Sequence, residues 1–475
     1  MTSSTSASAA PVITSKFTDI EISESLIRRF DTSGPRYTSY PTADRFYSEF
    51  REQAYLKHLA DRAALVQAPP LSVYVHLPFC QSLCYFCACN KIITQDTSRS
   101  VEYLDYLEKE MALVEPHLGS HRLTRQLHLG GGTPTSGDDP GLQRLMDMLR
   151  QRFQFSDDAE ISIEIDPRTI SDARLAALAD MGFNRTSFGV QDFDPDVQKA
   201  VNRVQPLEMV EQALESSRKY GFGSINLDLI YGLPRQSLDS FGRTLDHVIR
   251  LRPERIALYN YAHLPQRFKA QRLIKAEELP SAEERLQIFL MATRRLLDAG
   301  YVYIGLDHFA LPDDELSRAG MDGSLHRNFQ GYTTRAECDM MGFGVSSIGK
   351  VGRSYSQAVR SVKAYYQSLD DGVLPIDRGY SLSDDDLLRR DIIMTLMCSM
   401  PVDFDAVAQQ HGIDFRTYFA DELTRLQPYA EAGLIQIADN RIAITAQGRL
   451  FVRAIGMVFD AYLGKPTSST YSRLI

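Results

Sequence analysis

Short hydrophobic runs alternate with longer amphipathic stretches along most of the chain after residue 70. The short runs are rich in β-branched and aromatic residues, which is typical of strands, whereas the longer stretches repeat apolar residues at helical spacing. The predicted strands are 71–76, 125–129, 160–165, 185–190, 225–230, 255–261 and 301–306. The helical patterns between them include 101–115, 142–153, 173–181 and 207–220.

Glycines mark the ends of several of the predicted helices. Gly182, Gly221 and Gly300 are each followed by an aromatic residue and a strand, a pattern typical of a helix C-cap at an α-to-β junction. Repeated βα units favour parallel strands joined by right-handed crossovers. The sequence therefore predicts an α/β protein with a partial or complete (β/α) barrel of parallel strands, buried on both faces.

The pattern changes after about residue 381, where helices dominate. Residues 434–445 predict a short hairpin that turns at Asp439 and Asn440, and residues 448–462 predict a helix. This arrangement resembles a small winged-helix unit, but acidic side chains outnumber basic ones from residue 381 onward. We therefore expect a smaller, mainly helical C-terminal domain that acts as a lid or docking unit and does not bind DNA.

These patterns predict four regions. They are a flexible N-terminus over 1–24, a segment over 25–70 that covers the active site, the barrel with its substrate-facing extension over 71–380, and the C-terminal domain over 381–475.

The composition narrows the class of protein. The chain has 475 residues and a formal net charge of −9, which argues against general affinity for nucleic acid or anionic membranes. No apolar run approaches the ~20 residues of a membrane-spanning helix, and the N-terminus lacks the apolar segment of a secretory signal. We expect a cytoplasmic enzyme.

Four of the six cysteines fall within ten positions, directly after the first predicted strand. The spacing of Cys80, Cys84 and Cys87 is C-x3-C-x2-C, which allows three thiolates on one loop to bind three corners of an iron–sulfur cubane. One iron then has no protein ligand and is open for chemistry. A zinc site, or closure of the cluster by Cys89, is the alternative. Cys338 and Cys398 each stand alone in the sequence, and we expect both to be buried thiols.

Other unusual residues follow the predicted strands. Gly130, Gly131 and Gly132 come directly after the second strand, where backbone without side chains permits close approach of a ligand. Polar or otherwise notable residues lie at the ends of later strands or in the loops after them, and they are Glu164, Gln191, Arg203, Asp228 and Ala262. The carboxyl ends of parallel barrel strands build active sites, so we interpret these residues as site candidates. For each carboxylate, a hydrogen-bonded structural role is the alternative.

Longer strings identify a family resemblance. The three-cysteine motif followed by Gly-Gly-Gly-Thr-Pro resembles the radical S-adenosylmethionine (SAM) superfamily. The segments 33–42, 260–265 and 326–334, together with Cys89, resemble bacterial oxygen-independent coproporphyrinogen III oxidases. The similarity runs from about residue 25 to the C-terminus.

The resemblance implies cofactors and their ligands. Cys80, Cys84 and Cys87 would bind a [4Fe-4S] cluster, and two SAM molecules would bind beside it, with Tyr74 and the cysteines at the reacting centre. The residues implied for the first SAM are Tyr74, Gly131, Glu164 and Ile348. Those implied for the second are Gly132, Thr133, Gln191, Arg203, Asp228 and Ala262.

The resemblance also implies the reaction and its partners. A 5′-deoxyadenosyl radical would oxidatively decarboxylate two propionates of coproporphyrinogen III to vinyl groups, giving protoporphyrinogen IX in heme biosynthesis. A flavodoxin or ferredoxin would supply electrons, and the chain would act as a monomer.

The substrate has four carboxylates, so an acidic protein needs local cations to receive it. Arg36, His326 and Arg327 are the candidates, with Lys91 a weaker fourth. His76 in the cluster loop has two interpretations, a group that tunes the cluster or a packed histidine at a strand end.

Two other functions remain open from sequence. A relative with the same barrel and cluster could bind heme and act as a carrier or chaperone, and a simple iron–sulfur protein could transfer electrons. Cys89 and residues 326–334 favour the oxidase over the carrier. The glycine loop and the polar residues at the strand ends favour it over an electron-transfer protein.

Overall fold

The computed structural model describes residues 17–30 and 32–464. Residues 1–16 of the predicted flexible N-terminus and residues 465–475 of the predicted C-terminal domain lie outside the described residues. The strands are β1 Leu71–Leu77, β2 Phe79–Cys80, β3 Ile92–Ile93, β4 Leu123–Gly131, β5 Gln154–Ile165, β6 Arg185–Gln191, β7 Ser224–Tyr231, β8 Arg255–Asn260, β9 Val302–Gly305, β10 His308–Ala310, β11 His326–Asn328, β12 Gly331–Thr333, β13 Asp339–Phe343, β14 Ile348–Val351, β15 Ser354–Ala358, β16 Ile376–Ser381, β17 Val402–Asp403, β18 Ile435–Ile437 and β19 Arg441–Ile444.

Helices follow most of the barrel strands and form the C-terminal part of the chain. They are α1 Glu24–Phe30, α2 Glu52–Ala63, α3 Ser98–Val114, α4 Asp139–Arg152, α5 Asp172–Asp180, α6 Pro195–Ala200, α7 Leu207–Lys219, α8 Leu238–Leu251, α9 Ala282–Asp298, α10 Glu315–Asp322, α11 Val362–Asp370, α12 Asp384–Met397, α13 Phe404–His411, α14 Phe415–Tyr418, α15 Ala420–Glu431 and α16 Val452–Met457. In the described part of the chain, no helix is both long and apolar enough to cross a bilayer.

One large sheet organises the molecule. Its strand order is β16-β15-β14-β13-β1-β4-β5-β6-β7-β8-β10-β9. The strands from β13 through β8 in this order run parallel, whereas β14, β15 and β16 extend one edge antiparallel and β10 extends the other. Within the described residues, β16 and β9 do not pair with each other, so the barrel is partial.

The two faces of the parallel strands differ in chemistry. In β7, Ile225, Leu227 and Leu229 are fully buried in the hydrophobic core. The alternate residues Asn226 and Asp228 are only partly buried and hydrogen-bond to each other on the opposite face. The alternation therefore directs apolar side chains toward the main core and leaves a polar concave face for chemistry.

Two predicted elements differ from the structure. The strand expected at 301–306 does not continue the parallel series, because β10 pairs antiparallel with β8 and separates β9 from the barrel strands. The helix expected over 448–462 begins with a 3-10 turn, and its α-helical part ends at Met457. The helix ends early because the chain continues in i→i+3 turns, where Asp460 accepts hydrogen bonds from the Tyr462 N–H and the Tyr37 hydroxyl.

The N-terminal segment lies between the barrel and the C-terminal helices. Tyr37 donates to Asp460 over 2.8 Å, and the buried guanidinium of Arg453 donates to the carbonyls of Gly34 and Pro35. The last element, β17-β19-β18, is a small sheet that includes the predicted hairpin at 434–445. These contacts join residues distant in sequence into one hydrophobic core.

Candidate active site

The cysteine loop is fixed at its ends by backbone pairing. β2 pairs with β3 in parallel, which holds Cys80 against Ile93, and the Thr94 N–H donates to the Cys80 carbonyl over 2.9 Å. Farther along the loop, Asn202 donates to the Leu83 carbonyl over 2.8 Å. The loop that carries the three thiols is therefore anchored by contacts from both sides.

Two guanidinium groups surround the thiol of Cys84. Arg203 Nη1 lies 3.3 Å from Cys84 Sγ, and Arg168 Nη2 lies 3.5 Å from the same sulfur. Asp166 accepts from both arginines, at 3.1 and 2.7 Å, and keeps them in place. These contacts tie the Cys84 side chain to the segment that follows β5 and to the loop that carries Arg203.

The other cysteines of the loop have different surroundings. Cys80 is buried 3.5 Å from the Thr133 hydroxyl, and burial raises the pKa of its thiol to about 11. A hydrogen bond with the Cys89 thiol lowers the pKa of Cys87 to about 6, and Lys91, which donates to the Cys87 carbonyl, favours the same thiolate.

The residues present fit an iron–sulfur cluster. Among the described residues, no group of three His, Cys, Asp or Glu side chains is arranged to hold a single metal ion. A cubane distributes its ligands over separate irons, so three thiols on one loop need not meet at a point. All six cysteines lie in the described part of the chain and are free thiols. The donor set therefore suits a [4Fe-4S] cluster better than the zinc site that was the alternative from sequence.

A chain of polar side chains crosses the concave face beside this loop. The ring of Tyr74 on β1 stacks on His128 of β4, with centroids 5.9 Å apart. His128 Nδ1 lies 2.7 Å from the Ser162 hydroxyl, and its Nε2 lies 3.3 Å from Glu164 Oε1. Burial favours the protonated form of Glu164, but hydrogen bonds from His128 and from the Gly131 N–H hold its pKa below the usual range. Glu164 is therefore an ionised acceptor that faces the barrel interior.

The ring of His76 is packed at the end of β1, and its role in tuning the cluster stays a prediction. The ring is 6% exposed, and its nitrogens lie 3.1 Å from the Tyr74 hydroxyl and 2.9 Å from the Asn90 carbonyl. Burial lowers the pKa of His76, so the ring is neutral at pH 7. His76 is thus a packed histidine at a strand end that ties the end of the cysteine loop to β1.

The glycine run after β4 leaves no room for side chains. A Cβ added to Gly130 would lie 2.9 Å from the Glu164 carboxyl carbon, and one on Gly131 would lie 2.7 Å from the His76 ring. A Cβ on Gly132 would approach the Phe79 carbonyl. Gly131 also has a φ of +115°, a conformation that L side chains rarely adopt. Bare backbone here lets the site residues and a ligand approach closely.

The later strands bring the remaining predicted residues to the same face. Asp228 accepts from Asn226 over 2.8 Å and from Ser187 over 3.2 Å, while burial and the charge of Glu164 raise its pKa to about 6. Gln191 has a φ of +69° and a buried Oε1 with no hydrogen-bond partner in the described structure. That orphaned oxygen is available to a ligand.

Ala262 and Ile348 complete the predicted set through their backbone positions. The Ala262 carbonyl accepts from Gln271 over 3.2 Å. Ile348 begins β14, and a Cβ added to Gly342 of β13 would lie 2.7 Å from the Ile348 carbonyl oxygen. Since β13 pairs with β1 through Gly342 and Tyr74, β13 alone separates Ile348 on β14 from the predicted tyrosine on β1.

The predicted substrate cations have different environments. Arg36 forms an ion pair with Asp307. Burial and the charges of Lys350 and Arg390 lower the pKa of His326 to about 4, so His326 is neutral at pH 7 and not the cation that the sequence suggested. Arg327 is 4% exposed, and its Nε and Nη1 have no hydrogen-bond partner in the described structure.

Several site residues were missed from sequence. His128 orients Glu164, and Asp166 with Arg168 places charge around Cys84. His128 follows Gln126 at the alternate positions of a hydrophobic strand, a signal of a polar inner face that could have identified it. Asp166 and Arg168 directly follow β5, the strand that ends with Glu164 and Ile165, and could have been found by the same reasoning about strand ends.

Comparisons with known proteins identify the family. Residues 74–248 match the Radical SAM superfamily, and residues 382–451 match the HemN C-terminal domain. The chain is 49% identical over 452 residues to the oxygen-independent coproporphyrinogen III oxidase of Pseudomonas aeruginosa, covering 95% of this chain and 98% of the relative. It is 48% identical over 453 residues to the enzyme of that name from Escherichia coli, again covering 95% and 98%.

A solved structure gives the same result. The coproporphyrinogen III oxidase (HemN) from Escherichia coli, described as a radical SAM enzyme, superposes with a TM-score of 0.89 at 46% identity, covering 94% of this chain and 100% of that chain. The radical SAM fold, with its partial barrel and helical C-terminal part, is therefore confirmed. By sequence over nearly its whole length and by fold, the chain belongs to the oxygen-independent coproporphyrinogen III oxidase family of radical SAM enzymes.

Proposed function

We propose that this chain converts two propionate side chains of coproporphyrinogen III to vinyl groups without oxygen, giving protoporphyrinogen IX for heme biosynthesis. Family membership gives the reaction. The observation that carries the proposal in the structure is the continuous polar set from Tyr74 through His128 and Glu164, beside the cysteine loop and the glycine run. A simple electron-transfer iron–sulfur protein needs no such set at the carboxyl ends of its barrel strands, whereas Cys89 and residues 326–334 favour the oxidase over a heme carrier.

Cys80, Cys84 and Cys87 are proposed to hold the [4Fe-4S] cluster. When the cluster and SAM are bound, they supply the electron and the 5′-deoxyadenosyl radical that removes hydrogen from the substrate propionate. The protein contributes orientation. Arg168 and Arg203 hold the Cys84 side chain through N–H···S contacts, and Thr133 contacts Cys80. Cys89 is exposed and is proposed to remain outside the cluster.

The family resemblance assigns the predicted SAM residues to two SAM molecules, and this assignment stays part of the proposal. The first would contact Tyr74, Gly131, Glu164 and Ile348, where the ionised Glu164 accepts hydrogen bonds from hydroxyl or ammonium groups. The second would contact Gly132, Thr133, Gln191, Arg203, Asp228 and Ala262. Arg203 lies beside both Cys84 and the Gly189 carbonyl, so it connects the second group to the cysteine loop.

The setting of the enzyme follows from the same features. One chain supplies every proposed ligand, which supports a monomer. Six free thiols suit a reducing compartment, which supports a cytoplasmic location. A reduced flavodoxin or ferredoxin would deliver the electron to the cluster, and the four-region division of the chain predicted from sequence stays part of this proposal.

An anaerobic assay on reconstituted protein tests the reaction. Coproporphyrinogen III, SAM and a reductant should give protoporphyrinogen IX, with methionine and 5′-deoxyadenosine released at two molecules per tetrapyrrole. Absence of both the vinyl product and substrate-dependent SAM cleavage would reject the enzyme. Stoichiometric retention of heme by that inactive protein would identify the carrier.

Variants of the cysteines test the ligand set. Replacing Cys84 by Ser should remove most of the cluster absorbance and all turnover. Replacing the buried Cys398 by Ala, outside the site, should preserve both. Cys89→Ala should retain iron and absorbance, and loss of the cluster in this variant would identify Cys89 as a ligand.

A further inference from the structure

A second polar cavity lies on the concave sheet face, outside the residues assigned to the cluster and SAM. Its volume is about 180 Å³, well above the ~15 Å³ needed to hold one water. The walls come from β11, the antiparallel strands β14 and β15, helix α12 and the N-terminal segment at Thr38 and Ser39. Phe329 and Tyr355 provide an apolar side to a cavity that is otherwise lined by charged groups.

The cavity has more positive than negative charge. Its lining includes Arg327, Arg335, Lys350 and Arg390, whereas Asp391 is the one acid among the described lining residues. Asp391 is already engaged by His411 at 3.0 Å and by Arg390 at 3.5 Å. Arg335 is paired outside the cavity with Asp158 and Glu160. Arg390 therefore shares its only nearby acid among the described lining residues with His411.

Two arginines have donors with no partner. Arg327 is 4% exposed, and both its Nε and Nη1 lack a hydrogen-bond acceptor in the described residues. Arg390 Nη1 is also buried without an acceptor. The Arg327 guanidinium lies over the Tyr332 ring, 4.8 Å from its centroid, and so faces away from Lys350. A buried guanidinium N–H without a partner is costly, and an anion in the cavity would satisfy that of Arg390.

Lys350 is similarly short of negative charge. Its nearest acid is Asp339, 3.8 Å away, and that carboxylate is bound at 3.0 Å by Arg62 and at 3.0 Å by the Gly352 N–H. Burial, only partly offset by Asp339, lowers the pKa of Lys350 below its usual range. The ammonium group of Lys350 is therefore able to pair with a second anion.

The cavity adjoins the proposed reaction site. Lys350 follows Ile348 by two residues on β14, so both side chains are on the same face, about 7 Å apart along the strand. Lys350 pairs with Met340 of β13, while Gly342, two residues later on β13, pairs with Tyr74. A molecule that reacts near Tyr74 can therefore extend a side chain into the cavity.

We propose that this cavity is a carboxylate subsite, in which Lys350 and Arg390 hold a propionate of the porphyrinogen that is not reacting. Lys350 and Arg390 are thus further specificity-determining residues for the substrate. The inference rests on the proposed function. A free inorganic anion is negatively charged, as a propionate is, so the experiment must distinguish it from a substrate propionate.

The test compares three variants of the reconstituted holoenzyme. Lys350→Met removes the ammonium and keeps the length of the side chain, Lys350→Arg restores the charge, and Lys363→Met removes an exposed lysine on α11 as the control. Lys350→Met would remove a charge-assisted hydrogen bond from a site that excludes water. We therefore expect the KM for coproporphyrinogen III to rise roughly 10- to 100-fold in this variant. Lys350→Arg should recover most of this loss, and Lys363→Met should match the wild type.

Further measurements separate the subsite from a structural effect. In Lys350→Met, the cluster absorbance and the slow formation of 5′-deoxyadenosine without substrate should equal those of the wild type. An unchanged KM in an active, folded Lys350→Met enzyme would overturn the subsite and leave the proposed function intact. Weaker inhibition by inorganic phosphate with an unchanged KM would assign the cavity to free anions and also overturn it. An inactive wild type would reject the proposed function itself.

Discussion

Arg203 contacts the sulfur of Cys84 across 119 residues of sequence, with Nη1 3.3 Å from Sγ. The same guanidinium binds Asp166 at 3.1 Å and the Gly189 carbonyl through its other nitrogens, and it is only 7% exposed. One buried side chain therefore links the cysteine loop, the end of β5 and the end of β6. Changes at Arg203 should affect the cluster and the strand ends together.

Replacement of Arg203 by Met should shift the cluster potential and lower stability. Loss of an N–H···S contact makes the reduced cluster less favourable, so the midpoint potential should become more negative. In this variant the buried Asp166 loses one of its two arginine donors and keeps the other, Arg168. This loss should lower the free energy of unfolding by about 1–3 kcal/mol. Redox titration followed by electron paramagnetic resonance, and thermal unfolding, measure the two effects.

The control for this variant is Arg243→Met. Arg243 is 63% exposed and pairs with Asp194 at 3.0 Å on the outside of the barrel. Its loss should change stability by about 0.5 kcal/mol or less and leave the potential unchanged. An unaltered potential in Arg203→Met would show that the contact with Cys84 does not influence the cluster.

Alanine should lower SAM affinity and turnover at Gly131 in the glycine run but not at Gly137 farther along the same loop. Gly131→Ala places a Cβ 2.7 Å from the His76 ring at a φ of +115°, which costs about 1–3 kcal/mol of strain. We expect SAM affinity and turnover to fall at least about tenfold. Gly137→Ala, in the same loop, has a φ of −73° and no atom within 4 Å of its Cβ, so it should behave as wild type. Equilibrium dialysis measures the SAM affinity of each variant, and equal affinity in both would contradict the prediction.

The parallel strands were predictable because their determinants are local. Strand patterns such as the alternating segment 225–230, and glycine caps such as Gly221, report the βα repeat directly. The extension of the sheet was not predicted, because β13 and β14 are short and interrupted by Gly342 and Gly349. The place of β13 in the sheet depends on pairing with β1, more than 260 residues away, and β14 joins the sheet through β13, which no local pattern reports.

The candidate site divides in the same way. Glu164 and Asp228 were predicted because they lie at or near the carboxyl ends of recognisable strands. The charge state of His326 could not be predicted from sequence, since it depends on burial and on Lys350 and Arg390 from two other elements. Sequence gives the residue types at a site, while their ionisation depends on neighbours that only the fold brings together.

The buried ion pair between Arg62 and Asp339 should be a major determinant of stability. Nε and Oδ2 are 3.0 Å apart, and the side chains are 1% and 2% exposed. Arg62→Leu leaves a buried carboxylate without its main partner, which should cost about 3–5 kcal/mol. Arg51→Leu, from the exposed pair with Asp377, should cost about 0–1 kcal/mol. Urea denaturation at pH 7 measures both, and similar losses in the two variants would contradict the role of burial.

Glu110 should make the protein less stable as pH rises from 5 to 7. Burial raises its pKa from 4.5 to about 7 despite hydrogen bonds from Tyr365 and the Gly344 N–H, so the folded state binds the proton more tightly than the unfolded state. The stabilisation that Glu110 contributes to the folded state is therefore fully present below pH 4.5 and lost above pH 7. The free energy of unfolding should fall by about 3 kcal/mol across this range. Glu110→Gln cannot ionise and should remove this slope, whereas Glu102→Gln, an exposed position on the same helix, should retain it. Urea denaturation between pH 5 and 8 compares the slopes, and an equal slope in wild type and Glu110→Gln would exclude Glu110 as its cause.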